Sequence, residues 1–184
     1  MKNYLTEGNI LLSNGDPKKA VYSYRKALNV KPNDPEVFNN LGITLIQLKK
    51  FEEAVESWNH AIKIKPDYAE AYYNRGNALV ELHKIDAALE SFDKAIQIKP
   101  DSAEAYYNRG NALVELCKID AALESFDRAI QIKPDYAEAY KKRGDVLVEL
   151  KKIDAALESF DRAIQIKPDS DYLFGQLFYT KNSV

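Results

Sequence analysis

The residue types that most often carry catalysis are scarce in this sequence. There is one cysteine, Cys117, which excludes an intramolecular disulfide framework and a cysteine-based zinc finger. There are two histidines, His60 and His83, so a hydrolytic triad or a histidine-bearing zinc site would have to be built on one of these. The seven glycines occur singly, so no glycine-rich loop is available to cradle a phosphate. Neither sign of charge is in excess: 26 Lys and Arg stand against 28 Asp and Glu, unlike the basic surplus of a nucleic-acid binder. No apolar run approaches the roughly 20 residues needed to cross a membrane. The opening MKNYLTEGNILLSNG lacks the apolar core of a signal peptide, so a cytoplasmic location is expected. What remains is an ordinary globular composition, 46% hydrophobic and 29% charged over 184 residues, enough for one domain or two.

The dominant feature is a repeat. Prolines fall at Pro32, Pro66, Pro100, Pro134 and Pro168, each 34 residues after the last. Gly8, Gly42, Gly76, Gly110 and Gly144 keep the same step, as do Ala20, Ala54, Ala88, Ala122 and Ala156. A fixed period of this size signals stacked supersecondary units. The repeats run 1–34, 35–68, 69–102, 103–136 and 137–170, and the whole of 1–184 is expected to be one domain. The third and fourth repeats differ only at His83/Cys117, Lys94/Arg128 and Ser102/Tyr136.

Within a repeat the apolar residues recur at helical spacing. Tyr72, Leu79 and Leu82 form one stripe; Ile85, Ala88, Leu89, Phe92, Ala95, Ile96 and Ile98 form a second. The break at His83-Lys84 is short, so the two helices are antiparallel neighbours. Pro100 ends the second helix, and Asp101 or a neighbour is placed to cap the next. Gly76 and Ala88 are expected where the two helices approach closely, with Phe92 and Ala95 against the following pair.

Catalytic readings fail on position. His83 aligns with Lys49, Cys117 and Lys151; a position that accepts His, Cys and Lys alike is expected to be a solvated turn. His60 aligns with Lys94 and Arg128 and is expected to be exposed. The Asp and Glu residues recur in every repeat, which fits solvated helix faces better than one acid/base pair. No catalytic residue, metal ligand or cofactor is therefore assigned, and the chain is not expected to be an enzyme.

These spacings resemble the tetratricopeptide repeat (TPR). The second repeat carries the pattern in Phe38, Leu41, Gly42, Leu45, Ala54, Trp58, Ala61 and Pro66; the third in Tyr72, Gly76, Leu79, Ala88, Phe92, Ala95 and Pro100. The remaining three follow, the first more loosely with Tyr4, Gly8, Leu11, Ala20, Tyr24, Ala27 and Pro32. One departure is systematic: Arg75, Arg109 and Arg143 replace the family's leucine, and their long stems can still cover apolar surface. The resemblance implies an all-α fold, an α-α superhelix of five helix-turn-helix repeats with the first helices lining the concave face, and a protein or peptide partner held there.

Helix geometry says which side chains share that face. They include Asn39 and Asn40 in the second repeat, Tyr73, Asn74, Asn77 and Glu81 in the third, Tyr107, Asn108, Asn111 and Glu115 in the fourth, and Lys141 in the fifth. Asn40, Asn74 and Asn108 recur at the repeat period, with Asn77 and Asn111 beside them and Asn9 as an earlier member. An amide both donates and accepts, so such a row can hold a peptide backbone without reading its side chains. The row resembles the asparagine ladder in the repeat region of O-linked N-acetylglucosamine transferases, whose catalytic domain has no counterpart here. Asn77, Asn108 and Lys142 also match part of a chaperone-type carboxylate clamp, but Tyr73 and Glu138 do not, and Glu138 has the wrong charge. Glu70, Glu81, Glu104 and Glu115 make the middle of the face acidic, which would steer a basic segment toward it.

After the fifth repeat, DYLFGQLFYT continues in helix register. A capping helix over 171–181 is expected, because the last pair of a repeat array has an uncovered side. Its large apolar residues, Phe174, Leu177 and Phe178 among them, span a wide arc, which points to self-association. The leading expectation is a non-catalytic scaffold that binds an extended peptide in its groove. The alternatives are a self-assembling structural scaffold of the magnetosome-associated type and the recognition part of a larger glycosyltransferase.

Overall fold

A computed structural model describes residues 3–168, which belong to two compact units, Met1–Pro100 and Asp101–Val184. The expected helix at 171–181, with Phe174, Leu177 and Phe178, lies outside the described residues. Every regular element among the described residues is an α-helix, so the fold class is all-α. The first unit holds α1 (Tyr4–Ser13), α2 (Pro17–Val30), α3 (Pro35–Gln47), α4 (Phe51–Ile64), α5 (Ala69–Glu81) and α6 (Ile85–Ile98). The second holds α7 (Ala103–Glu115), α8 (Ile119–Ile132), α9 (Ala137–Glu149) and α10 (Ile153–Ile166). Successive helices pair as hairpins, and within each unit the second helix of one hairpin packs on the first helix of the next.

The helix limits follow from local chemistry. The second helices end at Val30, Ile64, Ile98, Ile132 and Ile166, two residues before each proline of the series, as the missing N–H of proline requires. Asp16 and Asp34 cap α2 and α3 with their carboxylates, and a proline follows each at the first helical position. Ser102 caps α7 by accepting from the Ala105 N–H. Helices α4, α6, α8 and α10 have no side-chain cap; their apolar faces, packed on neighbours, supply the stability instead.

The turn inside each hairpin has one demanding position. Lys49, His83, Cys117 and Lys151 all have positive φ, between 55° and 58°, and Gly15 takes the same place in the first hairpin. The following N–H reaches back to close the helix end: Lys84 to the Leu79 carbonyl at 2.8 Å, Lys118 to Leu113 at 2.9 Å, the pattern of a left-handed helix terminus. His83 and Cys117 are exposed. The turn selects a backbone conformation and leaves the side chain to solvent, which is why its identity varies so freely.

Glycine and an aromatic ring set the spacing of each hairpin. A Cβ added to Gly8 would lie 2.5 Å from the Tyr24 ring; at Gly42, 2.6 Å from Trp58; at Gly76 and Gly110, 2.6 Å from Phe92 and Phe126; at Gly144, 2.5 Å from Phe160. No side chain fits there. The rings, all at most 1% exposed, therefore press on the backbone of their own hairpin; the sequence pattern had pointed Phe92 toward the following one. Beside them Ala20, Ala54, Ala88, Ala122 and Ala156 are fully buried.

The arginines that replace the family leucine have specific partners. Arg75 Nε donates to Ser91 Oγ at 3.2 Å and its Nη1 to Asn59 Oδ1 at 2.9 Å. Arg143 Nη1 donates to Ser159 Oγ at 2.6 Å and its Nε pairs with Asp127 at 2.5 Å. Each thus ties its own hairpin to the helix before it. Burial pushes the Arg75 guanidinium below its ordinary pKa, yet an arginine stays charged in a protein.

The glycine contact yields a direct test. Gly110→Leu forces a side chain into the Phe126 ring and should cost several kcal/mol, about 1–3 or more by overpacking. Contacts in such arrays run between neighbours, so hydrogen exchange should show the fourth repeat opening while the second stays protected; uniform loss along the chain would contradict the arrangement.

Candidate functional site

In the first unit α1, α3 and α5 lie side by side, each the first helix of its hairpin. Two open cavities sit along this row. The larger, about 530 Å³, is lined by Ile43, Ile46, Phe51, Trp58 and Ala78, with Gln47, Lys49, Asn74, Asn77 and Glu81 at its margins. This volume lies within the usual range of ligand pockets. The smaller, about 370 Å³, is lined by Asn9, Leu12, Ser13, Tyr24, Asn40, Ile43 and Gln47. Ile43 and Gln47 belong to both, so the cavities adjoin.

Asn74, Asn77 and Glu81, singled out from the sequence, thus come together at the larger cavity, and Asn40 lines the smaller one. Tyr73 does something else: its ring tilts against Phe92 at 6.2 Å between centroids and packs inside its own hairpin.

The asparagines form bonds that their spacing alone did not reveal. Asn9 Oδ1 accepts from the Tyr24 hydroxyl at 2.7 Å and from Asn40 Nδ2 at 3.1 Å. Asn39, 2% exposed, accepts on Oδ1 from Trp58 Nε1 at 3.0 Å and from Asn74 Nδ2 at 3.5 Å, and donates from Nδ2 to Glu70 Oε1 at 3.1 Å. Amide contacts therefore link α1 to α3 and α3 to α5. Helix geometry had grouped Asn39 with the groove face; it is buried instead, because the Trp58 indole N–H needs an acceptor in the core. The signal was in the sequence. Tyr24 and Trp58 carry ring donors where the other repeats have phenylalanine, and each donor meets an asparagine. Desolvation pushes the Tyr24 phenol above its ordinary pKa, partly offset by a hydrogen bond with Thr44.

Two of the four groove glutamates are engaged: Glu70 with Asn39, and Glu104 with Lys133 at 3.8 Å. Of these partners only Lys133 carries a charge that offsets the acidic face read from the sequence. Glu81 and Glu115 are exposed.

In the second unit, Tyr107 of α7 packs on Phe126 and on Tyr136, with centroids 5.9 Å and 5.1 Å away. Asn108 and Asn111 are half-buried on α7, and Lys141 half-buried on α9. On α9, Asp145 takes the place that Asn77 and Asn111 hold on their helices. Burial pushes its carboxyl above the ordinary carboxylate range, opposed by Lys142 and then Lys141. Among the described residues no cluster of His, Cys, Asp and Glu could hold a metal ion, and no helix is long and apolar enough to cross a membrane.

Two predictions follow from these bonds. Asn39→Ala leaves the buried Trp58 N–H without an acceptor and should cost about 1–3 kcal/mol in denaturant unfolding; adding Trp58→Phe, which removes the donor, should recover much of it, and simple additivity would refute the coupling. Asp145 has a folded pKa above its unfolded one, so folding favours its neutral form. That contribution is full below the unfolded carboxylate range and is lost as pH rises through the raised folded value. Asp145→Asn should therefore raise the melting temperature at pH 7, with the gain shrinking below about pH 4.

The comparisons agree with this architecture. A family model described as TPR repeat matches residues 8–49, 44–82 and 76–116. A second, described as tetratricopeptide repeat, matches 103–136 and 137–170. No match is found among curated proteins. Among solved structures, a crystal structure of MamA is 28% identical with a TM-score of 0.85, covering 88% of this chain and 94% of that one. MamA from Desulfovibrio magneticus RS-1 is 23% identical, TM-score 0.84, covering 91% and 95%. YrrB is 24% identical, TM-score 0.81, covering 97% and 90%. With its helix hairpins, its glycine–aromatic contacts and family matches across all five repeats, the chain belongs to the tetratricopeptide-repeat family.

Proposed function

We propose that residues 1–184 act as one non-catalytic, cytoplasmic interaction domain that holds an extended peptide segment of a partner protein against the first helices of its hairpins. The observation that carries this reading is the larger cavity between α3 and α5. It offers an apolar floor of Ile43, Ile46, Trp58 and Ala78 beside the amides of Asn74 and Asn77, so that one bulky side chain can be buried while the backbone beside it is hydrogen-bonded. Burying such a side chain contributes roughly 1.5–3 kcal/mol, and each amide bond about 0.5–1.5 kcal/mol. Several contacts in series are needed for useful affinity, and a repeated helix face supplies them. The same face of the second unit, with Tyr107, Asn108, Asn111, Glu115 and Lys141, extends the reading to that unit.

The asparagine row resembles that of the glycosyltransferase repeat regions, which fits backbone capture. YrrB, of the same fold, is described as a TPR protein with an unusual peptide-binding site.

The test begins with a peptide selected from a random library against the full chain. Asn74→Ala with Asn77→Ala should weaken its binding at least tenfold, about 1.4 kcal/mol, while far-UV circular dichroism stays unchanged. Unaltered affinity would mean that the peptide sits elsewhere and that the asparagines serve only the helix contacts.

A further inference from the structure

The adjoining cavities of the first unit constrain what can fill them. Both lie along α1, α3 and α5 and share Ile43 and Gln47. Neighbouring packed helices are roughly 8–10 Å apart, and an extended chain in polyproline II form advances about 3.1 Å per residue and returns a side chain to the same face every third residue. Two side chains that enter the two cavities are therefore about three residues apart in their own sequence. The larger cavity takes the bulkier apolar group, because Trp58, Ile43, Ile46 and Phe51 form its walls. The smaller takes an apolar group beside the amides of Asn9 and Asn40 and the hydroxyl of Ser13. The only charged residues on either lining are Lys49 and Glu81, both at the larger cavity. A fitting segment is thus uncharged along its anchors, and an acidic residue just outside the larger-cavity anchor would meet Lys49.

One segment of this chain has that pattern. Sixteen residues, 169–184, follow the described part. Residues 172–180, YLFGQLFYT, carry no charge, are preceded by Asp169 and Asp171, and are followed by Lys181. Phe174 and Leu177 stand three apart. We propose that the C-terminal segment of a second copy of this chain occupies these two cavities in extended form, Phe174 in the larger and Leu177 in the smaller. A donor from another copy reaches the groove free of the five-residue tether between Pro168 and Phe174, however the two units are placed. The contact joins unlike surfaces, so it is head-to-tail: it closes into a ring or grows with concentration. The proposal rests on the groove reading above and names its occupant.

The full chain carries its own reporter. Trp58 is its one tryptophan and it lines the larger cavity. Light scattering of the full chain should give a mass that rises with concentration above 20.9 kDa. Ile46→Asp damages the groove and leaves the tail; Phe174→Ser with Leu177→Ser damages the tail and leaves the groove. Each variant alone should associate at least tenfold more weakly with unchanged helix content. Mixed, they should form a one-to-one complex, since one supplies the groove and the other the tail. A synthetic peptide of residues 169–184 should change Trp58 emission of the tail variant saturably and should leave the Ile46→Asp chain unaltered. A wild-type chain that stays monomeric, association that survives Ile46→Asp, or a mixture that does not pair overturns the proposal. In those cases a Trp58 response to the library-selected peptide would show that the groove binds other segments; a lack of response to both peptides would end the groove reading as well.

Discussion

The contact between a glycine and an aromatic ring inside each hairpin is the constraint on which the rest of this structure depends. With only hydrogen at Gly8, Gly42, Gly76, Gly110 and Gly144, the rings of Tyr24, Trp58, Phe92, Phe126 and Phe160 lie directly on the opposing backbone. That closeness fixes the distance between the helices of a pair. In the first unit it aligns α1, α3 and α5 into a row with cavities between them. The rings are also part of those cavities: Trp58 forms a wall of the larger and Tyr24 of the smaller. Stability and the shape of the cavities therefore share atoms, and a change at Trp58 alters both.

The polar layer follows the rings. Phenylalanine asks for nothing beyond packing, and at Phe92 and Phe126 a tyrosine, Tyr73 or Tyr107, covers the ring. Tyr24 and Trp58 bring donors into a dry setting, where an unmet N–H or O–H is costly. Asn9 and Asn39 meet them. These two asparagines then accept from Asn40 and Asn74 on the next helices, so a demand of the core is passed outward to the groove.

This chain of demands explains what could be read from the sequence. The 34-residue period, the hairpins, the helix ends before each proline and the solvated turn at His83 were all legible, because each follows from one residue type at a fixed step. So was the gathering of Asn74, Asn77 and Glu81, which needs only helix geometry. The burial of Asn39 was not, since a shared helical face does not say how deep a neighbouring ring draws one of its members. The pairing of Glu70 and Glu104 was hidden for a similar reason. Their partners, Asn39 and Lys133, lie about thirty residues away in sequence, and a helical stripe describes one helix at a time. The cavities could not be seen at all, because each is walled from several helices at once, the larger by Ile43 of α3, Trp58 of α4 and Ala78 of α5.

The left-handed turns carry a different consequence. At His83, Cys117 and Lys151 a side chain occupies a backbone region that favours glycine, and strain of this kind costs on the order of 1 kcal/mol or more per site. None of the three lines the groove cavities. Such positions behave as ballast: weight that can be shed or added, one turn at a time and nearly additively, without reshaping the cavities along the first helices. A lineage of repeats copied from one another can thus drift in robustness through its turns while the helix faces that shape the cavities stay as they are.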